Sequence, residues 1–308
     1  MNPNGRRPSL SRAIANGVGR IMTPAQFRGK VRLTNWMGGI ASRFTSDADC
    51  HPVKGARVIV SLNDRIGRMM WMGCYELGLV ALLSKILRPG MTFVDVGAQV
   101  GYFSIMAAAL VGPAGGVHSF EPDSDCFSRL LQNSLTYPWV KVHNSAVADI
   151  TGETSFYRSP KRGESGWGAI FDEDIGRTRV SVGVCTLDSW KAAEGIEKID
   201  VIKIDVEGAE CRVIEGARAV IAKARPIMWV EVNELCLSRD RKSVSSLLGL
   251  LAGWDYASHG VCERQSQSFE NIVAIPCERA DQFEQLGCER FHLRAISGNA
   301  NDGDCIPL

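Results

Sequence analysis

The sequence predicts a doubly wound α/β fold on a mostly parallel sheet. Three observations carry that expectation: helix-like and strand-like stretches alternate from about residue 74, a glycine-rich turn joins a buried strand to a helix, and acids recur at strand ends. The 308 residues are 45% hydrophobic, enough for one large domain of this class or two small ones.

The first 46 residues stand apart. They hold Arg6, Arg7, Arg12, Arg20, Arg28, Lys30, Arg32 and Arg43 without a single acid, so 27 of the 35 basic residues face all 34 acids in the remainder, which is net negative. Leu10, Ile14, Val18 and Ile21 recur at helical spacing and predict a helix, docked on the core or solvated. Its charge suits contact with nucleic acid, another polyanion or an anionic membrane surface. The expected organisation is a basic helical arm at 1–50, the α/β domain at 51–296 and a loose tail at 297–308. Arginines near the start are not followed by a continuous apolar run, and no window reaches the roughly 18 apolar residues of a membrane span. The protein is therefore read as cytoplasmic, with peripheral membrane attachment through the arm left open. Ten cysteines lack CxxC or zinc spacing and are read as reduced.

CYELGLVALLSKIL reads as a helix stopped by Pro89-Gly90, TFVDV as a strand, and the apolar stretch after Gly101 as a helix closed by Gly112-Pro113. GVHSFEP is a strand, SDCFSRLLQNSLTY a helix opened by Ser124 or Asp125, and WVKVHNSAV a third strand. TGETSFY is a short strand, followed by an aperiodic loop at 158–179 in which Trp167 could be a substrate lid or a local anchor. The rhythm resumes with VSVGVCTLDSW, the strand IDVIKID, a helix AECRVIEGARAVIAKA and the strand PIMWVEV. SVSSLLGLLAGW is a helix, and WDYAS with NIVAIP predicts a closing antiparallel pair.

Ligands of such sheets bind at the carboxyl ends of the strands, where Asp95, Glu121, Asp205 and Glu231 fall. Glu121 lies 24 positions after Gly97, near the offset at which an acid accepts hydrogen bonds from ribose hydroxyls. The turn DVGAQVG lacks the spacing that admits a pyrophosphate, and Asp95 would repel one. S-adenosylmethionine (SAM) fits better: it has a ribose and cationic groups but no phosphate, and Gly97, Ala98 and Gly101 let it approach the backbone. In IKIDVEGAE an extended chain puts Lys203, Asp205 and Glu207 on one face. Lys203 needs a carboxylate partner there, while Asp205 or Glu207 could take the proton of an attacking hydroxyl. Asp205, Glu207 and Glu231 also offer oxygens to a metal, but carboxylates alone do not select an ion and no metal is assigned. His118 and His143 read as core or rim residues. The signatures of zinc proteases, serine hydrolases and Walker-type NTPases are absent.

GCYE (73–76), LRPGMTFVDVGAQVGYFS (87–104), VHSFEPD (117–123), NSAVAD (144–149), TLDSW (186–190), IDVIKIDVEGAECRVIEGA (199–217) and PIMWVEVN (226–233) together resemble the FkbM-type SAM-dependent methyltransferases. The resemblance spans roughly residues 60–275 and implies a class I methyltransferase (Rossmann-like) sheet of seven strands, mostly parallel with an antiparallel C-terminal strand. It further implies that Asp95, Gly97, Ala98 and Gly101 form the SAM turn, that Glu121 holds the ribose, that Ala146 lies near the adenine, and that Glu76 helps close the pocket over the methionine end. Gln99 stands where asparagine is common. The implied activity is O-methylation of a hydroxyl on a sugar, glycan or polyketide-like acceptor; the resemblance assigns no catalytic base, and the strand geometry makes Asp205, Glu207 and Lys203 the catalytic candidates. The alternatives are a non-catalytic binding module working through the basic arm and an NAD(P)-dependent oxidoreductase.

Overall fold

The computed structural model describes residues 9–25, 27, 29–158, 168–171, 178–263, 271–282 and 291–295. The chain opens with α1 (Leu10–Met22) and α2 (Lys30–Ala41). A small antiparallel sheet of β1 (Asp47–Cys50) and β2 (Val58–Ser61) follows, then α3 (Arg65–Trp71) and α4 (Leu77–Ile86). The pairing of β1 with β2 carries the chain across residue 50 within one sheet, and Ala15 of α1 joins the core that contains Trp71 and Leu79. The helix predicted from Leu10, Ile14, Val18 and Ile21 forms, but only Val18 of that stripe packs against the core: Leu10, Ile14 and Ile21 are exposed. The buried contacts are made by Ala15 and Gly19, flanked by Val18 and Met22, because only small residues allow the helix to approach the Trp71 ring.

The doubly wound unit begins with β3 (Thr92–Val96), α5 (Tyr102–Val111), β4 (Gly116–Phe120), α6 (Ser124–Ser134) and β5 (Val140–His143). Helix α6 is opened one residue earlier than the sequence suggests: Asp123 accepts hydrogen bonds from the amides of Asp125 (2.8 Å) and Cys126 (3.1 Å). A three-stranded sheet then forms from β6 (Ala146–Val147), β7 (Gly152–Arg158) and β8 (Thr178–Cys185), in the order β6-β8-β7. Trp167 lies outside the described residues.

After α7 (Leu187–Glu194) come β9 (Val201–Ile204), α8 (Glu210–Glu215), α9 (Arg218–Ala224) and β10 (Ile227–Glu231). The single helix expected over AECRVIEGARAVIAKA is thus two. Asp188 of α7 accepts from the amides of Ala219 (2.9 Å) and Val220 (2.8 Å), so a side chain from another element supplies the start of α9. The chain ends through α10 (Glu234–Arg239), α11 (Val244–Ala252), β11 (Tyr256–Glu263), β12 (Asn271–Pro276) and β13 (Phe291–Ala295).

The main sheet runs β13-β11-β12-β10-β9-β3-β4-β5. Strands β3, β4, β5, β9 and β10 are parallel, and β12 enters antiparallel between β10 and β11, as the closing pair predicted. This is the class I methyltransferase sheet with one addition, since β13 pairs antiparallel with β11 as an eighth strand. Two apolar layers cover its faces, one around Phe93, Phe103 and Trp229 and one around Val94, Ile202 and Leu247. Continuous burial on both faces explains why β12 reads as an apolar run after Asn271, and β9 (VIKI) as one interrupted only by Lys203. Among the described residues no helix is long and apolar enough to cross a membrane. The tail at 297–308 lies outside the described residues.

Candidate functional site

A cleft of about 270 Å³ opens at the carboxyl ends of β3, β4, β9 and β10. Its floor is the turn after β3. Gly97 has φ +81°, and a Cβ there would sit 1.8 Å from the Asp205 carbonyl oxygen, so only glycine lets the turn cross so close to β9. The amides of Gly97 and Ala98 donate to the Phe120 carbonyl at 3.1 and 2.9 Å, which ties the turn to the end of β4.

Glu121 stands beside that turn and lines the cleft while being only 6% exposed. One carboxylate oxygen accepts from the Gln99 amide and the other from the Asp123 amide, both at 2.8 Å. Burial pushes its pKa up to about 7, against the lowering effect of those two amides. Asp123 is held below its ordinary value because the Arg158 guanidinium of β7 outweighs the effect of burial. That pair fastens the small sheet, which brings Ala146 and Phe156 to the cleft.

Asp95 is not on the cleft wall. It is 1% exposed and lies beneath the turn, where Ser104 donates to it at 2.6 Å and the Lys203 ammonium lies 3.7 Å away. The expectation of an acid facing the ligand at this position is corrected accordingly: alternation on β3 turns Asp95 toward α5 and Lys203. Gly101, with φ +88°, likewise shapes the start of α5 without lining the cleft. The carboxylates that do line it are Glu76, Glu121, Asp123, Asp205, Glu207 and Glu231, against the single ammonium of Lys203 among the described residues.

Lys203, 3% exposed, donates to Asp205 at 2.9 Å. Burial disfavours its charge, but Asp205 and Asp95 outweigh burial and hold it protonated, above the ordinary lysine range. Glu207 does not continue the strand, as extended alternation predicted. Strand β9 stops at Ile204 and Glu207 has φ +55°, in a turn clamped by the buried Glu210 carboxylate on the amides of Val206 (3.2 Å) and Gly208 (3.0 Å). The turn nevertheless returns Glu207 to the cluster: Asp205, Glu207 and Glu231 offer oxygens all within 4.8 Å of one another. Burial and Asp205 raise Glu207 to about 7, and burial with the same neighbour raises Glu231 well above its ordinary value. Both shifts favour the protonated carboxyl, so Glu207 and Glu231 keep their protons to higher pH than exposed carboxyls do. The cluster's all-oxygen set is also of the kind a hard divalent cation takes.

Several cleft residues escaped the sequence reading. Asn271 on β12 donates to Glu76 at 3.4 Å and accepts from the Trp229 indole at 2.9 Å, joining residues 195 positions apart. Tyr75, Phe156, Gly168, Ile170 and Asn233 complete the wall. Tyr75 and Asn233 stand in GCYE and PIMWVEVN beside acids already singled out, whereas no local spacing could have found Phe156, Gly168, Ile170 and Asn271, because only the fold brings β12 and the three-stranded sheet to this opening. His118 and His143 are strand residues stacked near Trp190, away from the cleft, and burial lowers both, His118 to about 4.

Residues 95–258, more than half of the chain, match the family model described as the methyltransferase FkbM domain. The chain is 27% identical over 195 residues to the 2-O-methyltransferase NoeI of Sinorhizobium fredii (strain NBRC 101917 / NGR234), which covers 58% of the chain and 76% of NoeI. It is 26% identical over 215 residues to the hexuronic acid methyltransferase AglP of Haloferax volcanii, covering 69% of the chain and 77% of AglP. The 31-O-demethyl-FK506 methyltransferase FkbM of Streptomyces tacrolimicus is 30% identical over 159 residues, which are 42% of the chain and 60% of that protein.

Proposed function

The chain belongs to the FkbM methyltransferase family and is a SAM-dependent methyltransferase, and from that premise we propose that it methylates a hydroxyl on a sugar, a glycan or a polyketide-like acceptor. The observation that carries the reading is the acid-rich lining of the cleft, six carboxyl groups around one lysine among the described residues, with Glu121 and Glu207 ionising near pH 7. A cationic cofactor without phosphate is favoured by that wall and draws its raised carboxyls toward their charged forms, whereas the pyrophosphate of NAD finds no free cation among the wall's described residues. Gly97 supports the fit, because without a Cβ the turn packs directly on the Asp205 carbonyl and its backbone, with that of Ala98, lines the cleft. When bound, SAM supplies an electrophilic methyl on a sulfonium, which an acceptor oxygen takes by in-line displacement.

In this proposal Glu121 accepts hydrogen bonds from the ribose hydroxyls with lone pairs that the Gln99 and Asp123 amides leave open. Ala146 packs near the adenine, and Glu76, held by Asn271, closes the methionine end. Gly97 and Ala98 form the floor, and Asp95 and Gly101 set its shape from beneath. Asp205 and Glu207 orient the acceptor hydroxyl and receive its proton, and Lys203 fixes Asp205. NoeI and AglP, which their names describe as acting on a 2-oxygen and on a hexuronic acid, support a sugar-type acceptor. Cys50, Cys74, Cys126, Cys185, Cys211, Cys236 and Cys277 are thiols outside any disulfide, which supports a cytoplasmic setting.

Calorimetric titration with SAM, S-adenosylhomocysteine and NAD tests the pocket. SAM and S-adenosylhomocysteine should saturate one site and NAD should give no heat; NAD binding would overturn the charge argument. Asp205→Asn keeps a partner for Lys203, so it should leave SAM binding near wild type and lower turnover about 10²- to 10⁴-fold on hydroxylated glycans. Full turnover in that variant would remove Asp205 from the chemistry.

A further inference from the structure

Among the described residues, eight of the twelve exposed large apolar side chains lie between positions 10 and 44. On α1, Leu10, Ile14 and Ile21 share one face and point to solvent, Leu10 being 79% exposed, while the packing falls to Ala15 and Gly19. On α2 and just beyond it, Trp36, Ile40 and Phe44 recur every fourth residue after Arg32, with Trp36 65% and Phe44 72% exposed. Apolar side chains left in water at this density mark an interaction surface. The same stretch exposes Arg20, Arg32 and Arg43, which meet no carboxylate among the described residues, and the sequence holds no acid before Asp47.

We propose that α1 and α2 form a docking surface for an anionic lipid bilayer. Leucine, isoleucine, phenylalanine and tryptophan enter the boundary between headgroups and acyl chains, while the arginines meet lipid phosphates. Nucleic acid would reward the arginines but gain little from exposed leucine and isoleucine. A second copy of the chain would set this uniformly basic surface against itself. The surface is joined to the cleft through α3. The Trp71 indole donates to the Ala15 carbonyl at 2.9 Å, Lys30 donates to the Gly73 carbonyl at 3.4 Å, and Ile66 and Met70 of the same helix line the cleft. Docking would therefore be linked through α3 to the wall of the cleft.

The test is co-flotation of the full chain with phosphatidylcholine vesicles containing about 30% phosphatidylglycerol, against phosphatidylcholine alone. The full chain should float with the anionic vesicles only. The double variant Ile14→Asp, Ile21→Asp should lower the bound fraction at least about tenfold, and each of Arg20→Gln, Arg32→Gln and Arg43→Gln about fivefold. All should keep the wild-type melting temperature and S-adenosylhomocysteine binding, which separates loss of docking from loss of the fold or of the pocket. The proposal is overturned if the full chain ignores anionic vesicles, or if the isoleucine variant floats as well as wild type. It is equally overturned if the chain binds RNA but no vesicle, or if the surface is instead closed by a dimer that Ile14→Asp, Ile21→Asp dissociates.

Discussion

Glu121 does two jobs with one carboxylate. Its oxygens hold the amides of Gln99 and Asp123, so it sets the shape of the turn, and it also presents charge to the cleft. Because burial places its pKa near 7, the ionised form that accepts best from hydroxyl donors is only partly populated at neutral pH. SAM affinity should rise from pH 6 to pH 8 as this proton leaves. Glu121→Gln should weaken binding roughly tenfold or more at pH 8, the loss of a charged hydrogen bond, and flatten the rise. Calorimetry across that range checks it, and an undiminished rise in the variant would assign the titration to Glu207, which ionises in the same range. At this scale the sequence located Glu121 by its distance from Gly97 but gave no hint of the amides it holds. Asp95 was identified as important and misplaced, because strand alternation shows which residues share a face and not what packs against that face.

Elements here are fastened by side chains from distant elements. Asn133 of α6, 5% exposed, accepts from the Ile59 amide at 2.9 Å and donates to the carbonyls of Ile59 (3.2 Å) and Val100 (2.8 Å). One amide side chain thus joins β2 to the glycine-rich turn. Asn133→Ala would leave three buried backbone groups without partners, at a cost of about 3 kcal/mol overall after partial relaxation. Urea denaturation should show that loss, and SAM affinity should fall with it because Val100 belongs to the turn. A loss below about 0.5 kcal/mol would mean that the two-stranded sheet of β1 and β2 is not anchored there. The division of α8 from α9 follows the same logic. Helical periodicity continues through residues 209–224, yet Asp188 begins a new helix from outside that stretch. Periodicity reads the local chain and is blind to a cap supplied by a neighbour.

The molecule as a whole concentrates buried acids at one end of its sheet. Glu121, Glu207 and Glu210 are each pushed up to about 7 by burial, so folding takes up protons at these sites. Their contribution to stability is complete below the ordinary carboxylate range and is lost as pH rises through 7. The lowered pKa values of His118, His143 and His259 act in the opposite direction, adding stability until the unfolded imidazoles have lost their protons above about pH 7. Between pH 6.5 and 8 the carboxylate loss, about 1 kcal/mol per such group, exceeds the histidine gain of about 0.4 kcal/mol each, so the cofactor-free protein should lose stability on balance. Scanning calorimetry should show its melting temperature falling over that interval, with a smaller fall when S-adenosylhomocysteine occupies the cleft. A melting temperature that rises instead would show that these groups are ionised and well solvated in the folded protein.

The sequence by itself determined the alternating α/β order, the antiparallel closing pair, the turn at Gly97 and the acids at the strand ends. Each of these rests on local period, on a glycine-specific backbone or on an offset within one β-α-β unit. Only the tertiary structure decided which acids face the cleft and which is buried beneath it, and that Lys203 stands between Asp95 and Asp205. It also decided that the left-handed turn, not the strand, delivers Glu207, and that Leu10, Ile14 and Ile21 of α1 face solvent while Val18 packs inward. Those outcomes depend on which surfaces can pack: Ala15 and Gly19 fit against Trp71 where larger side chains would clash, and no periodicity along the chain contains the shape of the partner.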